Sequence, residues 1–105
     1  MIMAADHPIP AGESEFVLRL YVTGTTARST RAVANLRQLC EQHLTDRYEL
    51  EVIDIYQQPE LAAREQLVAL PTLIKRMPLP LRRLVGDLSN RQRLLAGLDL
   101  PAISS

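Results

Sequence analysis

The segment "ALPTLIKRMPLPLRRLVGDLSN", residues Ala69 to Asn90, decides the fold of this chain. Alternating apolar and polar residues predict two short strands, "PTLIKRM" and "LRRLVGD", and the short link "PLP" favours an antiparallel hairpin. Proline donates no hydrogen bond to a strand ladder, so central strands exclude it. We therefore expect Pro71 at the start of the first strand, and Pro78 and Pro80 in the turn.

Upstream of this hairpin, the hydrophobic pattern predicts two strands separated by a helix. "EFVLRLYV" and "YELEVIDIY" alternate as strands do, and "STRAVANLRQLCEQHL" carries an apolar stripe at helical spacing. Thr26 or Ser29 is suited to cap the N-terminus of this helix. A strand, a helix and a strand in this order predict a right-handed βαβ unit with parallel strands.

Two further helices are predicted around the hairpin. In "QQPELAAREQLVAL", Pro59 suits a first helical turn, and apolar residues through Val68 continue a short pattern. In "SNRQRLLAGL", Ser89 and Gln92 have capping-box spacing, and Gly97 is a natural stop.

The resulting order, β-α-β-α-β-β-α, is that of a single thioredoxin-like α/β domain, predicted over residues 15–100. In such a domain the proline that opens the third strand is cis, so we expect a cis peptide bond before Pro71. Residues 1–14 are interpreted as a flexible leader and residues 101–105 as a short tail.

The composition of the chain indicates which classes of protein it can belong to. The chain has 105 residues, 47% of them hydrophobic, and a formal net charge of zero, which suits one compact domain and does not favour nucleic acid as a partner. The single cysteine, Cys40, allows no disulfide within the chain, as in a reducing compartment. No signal peptide or membrane span is visible, so we expect a cytoplasmic protein.

The start of the first helix carries hydroxyl residues where thioredoxins carry thiols. Dithiol exchange needs two cysteines at C-x-x-C spacing, and Thr26 and Ser29 stand there instead. Cys40 falls on the apolar face of the helix, so we expect it to be buried. We predict no catalytic residue, cofactor or metal. A thioredoxin-like enzyme that uses Ser29 to activate glutathione or another thiol is the alternative.

Basic residues are concentrated in the hairpin. Because they lie on two paired strands, we expect them on one side of the sheet, with Arg28 and Arg31 of the first helix near the same end. Such a basic edge suits docking to an acidic protein surface. The hairpin residues concerned are Lys75, Arg76, Arg82 and Arg83.

Three stretches resemble the KaiB family of cyanobacterial circadian clock proteins. They are "LRLYVTGTTARSTRAVANL", "YELEVIDIYQQPELA" and "LPTLIKRMPLPLRRLVGDLSNRQRLLAGLDL". The resemblance implies a non-enzymatic protein that docks on the N-terminal ring of a KaiC-type ATPase, captures KaiA and promotes KaiC dephosphorylation. The sensor domain of the clock-output histidine kinase is related and shares the thioredoxin-like fold. Such kinases are therefore also expected partners.

The resemblance also implies roles for the basic residues. Lys75 falls where the family uses a basic residue at the KaiC interface, with Arg76 beside it. Arg31, Arg82 and Arg83 match basic positions linked to KaiA engagement or clock output.

Members of the family are metamorphic, which implies a second packing with a rearranged second half and a tetrameric assembly. The chain departs from the family pattern at Leu70 and Ala27, and "PAISS" replaces an acidic tail. These departures suggest a paralogue in which the thioredoxin-like monomer dominates. The residues expected to take part in fold switching are Pro71, Pro78, Pro80, Gly97 and Asp99.

Overall fold

The computed structural model describes residues 15–100, which form a four-stranded sheet with helices on both faces. The order of elements confirms the predicted thioredoxin-like arrangement, while the predictions for residues 1–14 and 101–105 lie outside the described residues. The elements are β1 (Phe16–Val22), α1 (Ala27–His43), β2 (Tyr48–Asp54), α2 (Glu60–Arg64), β3 (Thr72–Met77), β4 (Arg82–Val85) and α3 (Arg91–Gly97).

The strands lie in the order β2-β1-β3-β4. β1 and β2 are parallel because α1 crosses between them, and β3 and β4 form the expected antiparallel hairpin. Pro71 immediately precedes β3 with a cis peptide bond, as predicted, and Pro78 and Pro80 lie in the turn. The carbonyl of Pro71 accepts from the N–H of Gly86 at 3.0 Å, which closes the open end of the hairpin.

The larger core lies between the sheet and the helices α1 and α3. Alternate residues of a strand point to opposite faces, so one set of β1 and β3 side chains meets the apolar stripes of these helices. The smaller core lies on the other face, where the short α2 covers Tyr21, Ile53 and Ile74. The larger core is built chiefly from Leu18, Leu20, Val22, Leu36, Leu39, Cys40, Leu73, Leu94, Leu95 and Leu98.

The predicted extent of the second helix was wrong. α2 ends at Arg64, because Gln66 adopts a left-handed conformation with φ of 56° that no α-helix can contain. Val68 was expected to continue the apolar pattern of that helix, yet it lies in the following loop with 94% of its surface exposed.

The signal at the start of the last helix was misplaced by one residue, whereas the stop at Gly97 was confirmed. Asn90, not Ser89, is the N-cap of α3, and its side chain accepts from the N–H of Arg93 at 3.0 Å. At the other end, Gly97 is the last helical residue, and the left-handed residue that follows the helix is Asp99 with φ of 59°. Aspartate is one of the few residues that tolerate this conformation, so glycine is not required there.

Candidate partner-binding site

Hydroxyl groups at the start of α1 hold the local backbone together. The Thr26 hydroxyl caps the helix by accepting from the N–H of Ser29 at 3.2 Å. The Ser29 side chain is buried, and its hydroxyl accepts from the N–H of Thr23 at 3.1 Å. Because these structural hydrogen bonds engage Ser29 away from solvent, the geometry gives no support to thiol activation there.

The single cysteine lies in the core, as predicted. Cys40 is fully buried between α1 and the sheet, and burial is the main cause that raises the pKa of its thiol to about 12. The thiolate is the nucleophilic form of cysteine, so this side chain is inert at neutral pH.

The four basic residues of the hairpin do not lie on one side of the sheet, and that prediction was wrong. Lys75 and Arg82 are cross-strand partners on the face of α1 and α3. Arg76 and Arg83 lie on the opposite face and contact the end of α2. The strand period of two separates them, because neighbours in sequence point to opposite faces.

Lys75 is buried, with only 1% of its surface exposed, so its ammonium is not available for direct contact with a partner in this packing. Its β1 partner is Leu18, a core residue, which places the lysine stem on the core side of the sheet. The ammonium group donates to the carboxylate of Asp99 just after α3. The same carboxylate pairs with Arg82 at 3.1 Å, and the hydrogen bonds from Lys75, then from Arg82, lower the pKa of Asp99.

The other two hairpin cations secure α2. Arg76 forms an ion pair with Glu65 at 2.8 Å. Arg83 donates to the backbone carbonyls of Glu65 and Gln66 at the C-terminal end of the helix. Carbonyls at a helix C-terminus lack intrahelical partners, so the guanidinium of Arg83 supplies the missing donors.

The basic residues of α1 form a separate group beside the β4–α3 loop. Arg31 pairs with Asp87 at 3.2 Å, and hydrogen bonds from Ser89, followed by the one from Arg31, lower the pKa of Asp87. Arg28 lines a shallow depression of about 280 Å³ with this loop and Arg93. Arg31 therefore joins an ion pair distinct from those of the hairpin residues.

Exposed apolar side chains at the hairpin were not anticipated from the sequence. Of the six large apolar side chains that are exposed among the described residues, four belong to the hairpin. For three of the four, the signal was the run "MPLPL", residues 77–81, whose two prolines predict a turn beyond the packed strands. These four residues are Met77 (47% exposed), Leu79 (73%), Leu81 (50%) and Val85 (39%).

Two features are absent from residues 15–100. In that range no three His, Cys, Asp or Glu side chains come together as a metal site would require. None of the three helices of that range has the length and apolar character needed to cross a membrane.

Taken together, the fold and the start of α1 define a class, that of thioredoxin-like domains with hydroxyl residues in the place of the thiol pair. Within this class, the chain belongs to the KaiB family: residues 19–100 match the family model described as the KaiB domain. The family is one of circadian clock proteins, as the names of its curated members state.

Two curated relatives illustrate the match. The circadian clock protein KaiB3 of Synechocystis sp. is 46% identical over 87 residues, which cover 83% of this chain and 85% of the relative. The circadian clock oscillator protein KaiB of Synechococcus elongatus is 46% identical over 85 residues, covering 81% and 83% of the two chains.

Solved structures agree with the fold. The N-terminal domain of Synechococcus elongatus SasA superimposes with a TM-score of 0.66 at 27% identity, covering 82% of this chain and 85% of that domain. Mitochondrial thioredoxin 3 of Saccharomyces cerevisiae gives the same TM-score at 15% identity, with 83% and 79% coverage, which shows the common fold alone.

Proposed function

We propose that this chain is a non-enzymatic clock-type binding protein that docks on the N-terminal ring of a KaiC-type ATPase. In this role it captures KaiA and promotes dephosphorylation of KaiC, and a clock-output histidine kinase is a further partner. Membership of the KaiB family supports the clock function, and the likeness to the N-terminal domain of SasA supports the thioredoxin-like fold of the proposed binding protein.

The observation that carries the proposal is the residual positive charge on the exposed hairpin. Lys75 and Arg82 share the carboxylate of Asp99 on one face, whereas on the other face Arg76 pairs with Glu65 and Arg83 contacts only backbone carbonyls. One positive charge therefore remains uncompensated on each face of the hairpin. Arg82 and Arg83 are both exposed. An acidic protein surface complements such a patch and is steered towards it during diffusion.

Because Lys75 is buried, we assign it an indirect role in place of direct contact with the ATPase. Its ammonium is buried against Asp99, so in the proposed complex it positions the end of α3 below Arg82 and leaves the direct contact to the two arginines. Arg76 is half-buried and paired with Glu65, and it supports α2 in the same indirect way.

A titration of the isolated N-terminal ring of a KaiC-type ATPase with the protein tests this role. Arg82→Glu should weaken binding at least tenfold, because like charges then face each other at the contact. Arg37→Glu, an equal charge change on the exposed side of α1, is the matched control and should bind normally. Equal affinity of both folded variants would contradict the hairpin as the docking surface.

The downstream steps need a separate measurement. Phosphorylated KaiC should lose phosphate faster in the presence of KaiA when the wild-type protein is added, and Arg82→Glu should abolish the acceleration. A protein that binds the ring but leaves the rate unchanged would limit the proposed function to docking.

We also propose that the chain has a second, tetrameric packing, with the thioredoxin-like monomer as the dominant form. The residues concerned lie at the ends of elements or in the turns that connect them, in the second half of the chain. They are Pro71 before β3, Pro78 and Pro80 in the turn, Gly97 at the end of α3 and Asp99 just after it. Two packings separated by a few kcal/mol interconvert measurably. Backbone chemical shifts of residues 69–100 together with sedimentation velocity test this, and one set of shifts at a constant monomer mass would refute it.

A further inference from the structure

The strand β4 has one free edge. It is the last strand in the order β2-β1-β3-β4, so within residues 15–100 only β3 pairs with it. The hydrogen bond from Gly86 to Pro71 fixes the alternation of the ladder: Arg82 and Leu84 turn their backbone groups towards β3, and Arg83 and Val85 turn theirs outward. An outward row of N–H and C=O groups is a template for another strand.

Side chains along this edge alternate in a definite order. Leu81, Arg83 and Val85 are two residues apart and therefore share one face, where they read apolar, basic, apolar. All three are exposed, and Arg83 uses two of its five donors on the end of α2. A guanidinium with remaining donors between two exposed apolar side chains is suited to a carboxylate flanked by apolar groups.

A second copy of the chain is a poor occupant. If two β4 edges paired antiparallel about Arg83, the Arg83 side chains of the two copies would lie directly opposite each other, and like charges opposite one another are destabilising. Arg83 therefore disfavours pairing with a second β4 strand and favours pairing with an acidic strand. The charge of an incoming strand thus decides whether it binds at this edge.

We propose that the free edge of β4 receives an extended acidic segment of a protein partner, which adds a fifth strand to the sheet. The segment carries an apolar-x-acidic-x-apolar pattern, with its carboxylate opposite Arg83 and its apolar residues against Leu81 and Val85. Main-chain hydrogen bonds supply affinity, and the alternate side chains supply specificity. This inference rests on the proposed function in that the segment belongs to the docking partner at the hairpin.

Proline at position 85 tests the added strand without touching the β3 ladder. The N–H of Val85 faces outward, so Val85→Pro removes a donor that only an incoming strand uses, and edge strands tolerate proline at such positions. Val85→Thr is the matched control, since it keeps both the N–H and the branched shape. With the ATPase ring as partner, we expect about tenfold weaker binding for Val85→Pro and less than about threefold for Val85→Thr.

Hydrogen exchange adds a readout that a merely local packing effect would not produce. In the complex, the amides of Arg83 and Val85 should become protected, because they then donate to the added strand. A melt of each free variant verifies that it is folded. If wild type binds the ring and Val85→Pro binds equally well, the added strand is refuted while the proposed docking stands.

A defined peptide separates the inference from the proposed function. The probe is a capped seven-residue peptide with valine, glutamate and valine at alternate positions, and its lysine-for-glutamate analogue is the control. Amide shifts confined to residues 81–86, with the glutamate peptide only, would support the edge even if the ring did not bind. Three results overturn it: no shifts at millimolar peptide, shifts confined to β2, or a concentration-dependent dimer that Val85→Pro abolishes.

Discussion

Replacing Lys75 with methionine tests whether its charge stabilises the fold. The lysine side chain is 1% exposed, so its ammonium has lost nearly all contact with water and has Asp99 as its ionic partner. Methionine retains most of the apolar stem, each methylene of which contributes about 0.8 kcal/mol on burial. Asp99 is partly exposed and keeps Arg82 as an ionic partner, so Lys75→Met leaves no unpaired buried charge, and we expect the free energy of unfolding to change by less than about 1 kcal/mol.

Glutamate at the same position should behave very differently. Lys75→Glu buries a carboxylate facing that of Asp99, and an uncompensated buried charge costs about 3–5 kcal/mol. We expect Lys75→Glu to lose at least about 3 kcal/mol of stability, a large share of the total for a domain of this size.

Urea unfolding of the wild type and both variants, followed by circular dichroism, measures these differences. Arg37→Glu is the control for a charge reversal at an exposed site, and it should shift stability by less than about 0.5 kcal/mol. A Lys75→Glu variant as stable as wild type would refute the burial of this side chain. A methionine variant that lost about 3 kcal/mol would show instead that the ion pair itself stabilises the fold.

Three further results are expected. Because burial raises the pKa of Cys40 to about 12, Ellman's reagent should modify this thiol only when the chain unfolds in denaturant. Stoichiometric reaction of the native protein within minutes would contradict the burial of Cys40. Arg83→Gln should speed amide exchange in α2 and lower Tm by about 2–4 °C, whereas Arg82→Gln should leave α2 exchange unchanged; equal effects would disprove the cap. The pKa of Asp87 lies below its ordinary value of 3.8, so its stabilising contribution is present above about pH 4 and is lost as pH falls through the lowered value. The stability difference between wild type and Asp87→Asn should therefore disappear in acid, and a difference independent of pH would exclude this linkage.

The elements of the fold were predictable because each leaves a periodic signal in the chain. The apolar stripe of α1 and the alternation of β1 placed both correctly, and the prolines located the ends of the hairpin strands. The termini were less predictable, since capping depends on which of several polar neighbours reaches a free N–H. Ser89 and Asn90 both suit that position by residue type, and only the backbone geometry selects Asn90.

The candidate site was harder to predict, because its contacts join residues distant in sequence. Lys75 resembles a surface lysine when it is read locally, and its burial follows only from the register with Leu18 and the arrival of Asp99 behind α3. The positive charge of the hairpin was visible in the sequence. Consecutive residues of a strand point to opposite faces, so Lys75 and Arg76 lie on different faces, as do Arg82 and Arg83. The prediction from the sequence overlooked this alternation for the charged residues.

This division gives the hairpin charges two different responses to ionic strength. At about 0.15 M salt, interactions between exposed charges fade over about 8 Å, whereas a buried pair is screened far less. Salt should therefore slow association through Arg82 and Arg83 while it leaves the contact between Lys75 and Asp99 almost unchanged. A buffer of higher ionic strength thus weakens the hairpin as a docking surface without loosening its attachment to α3, so salt distinguishes the binding role of the charges from their structural one.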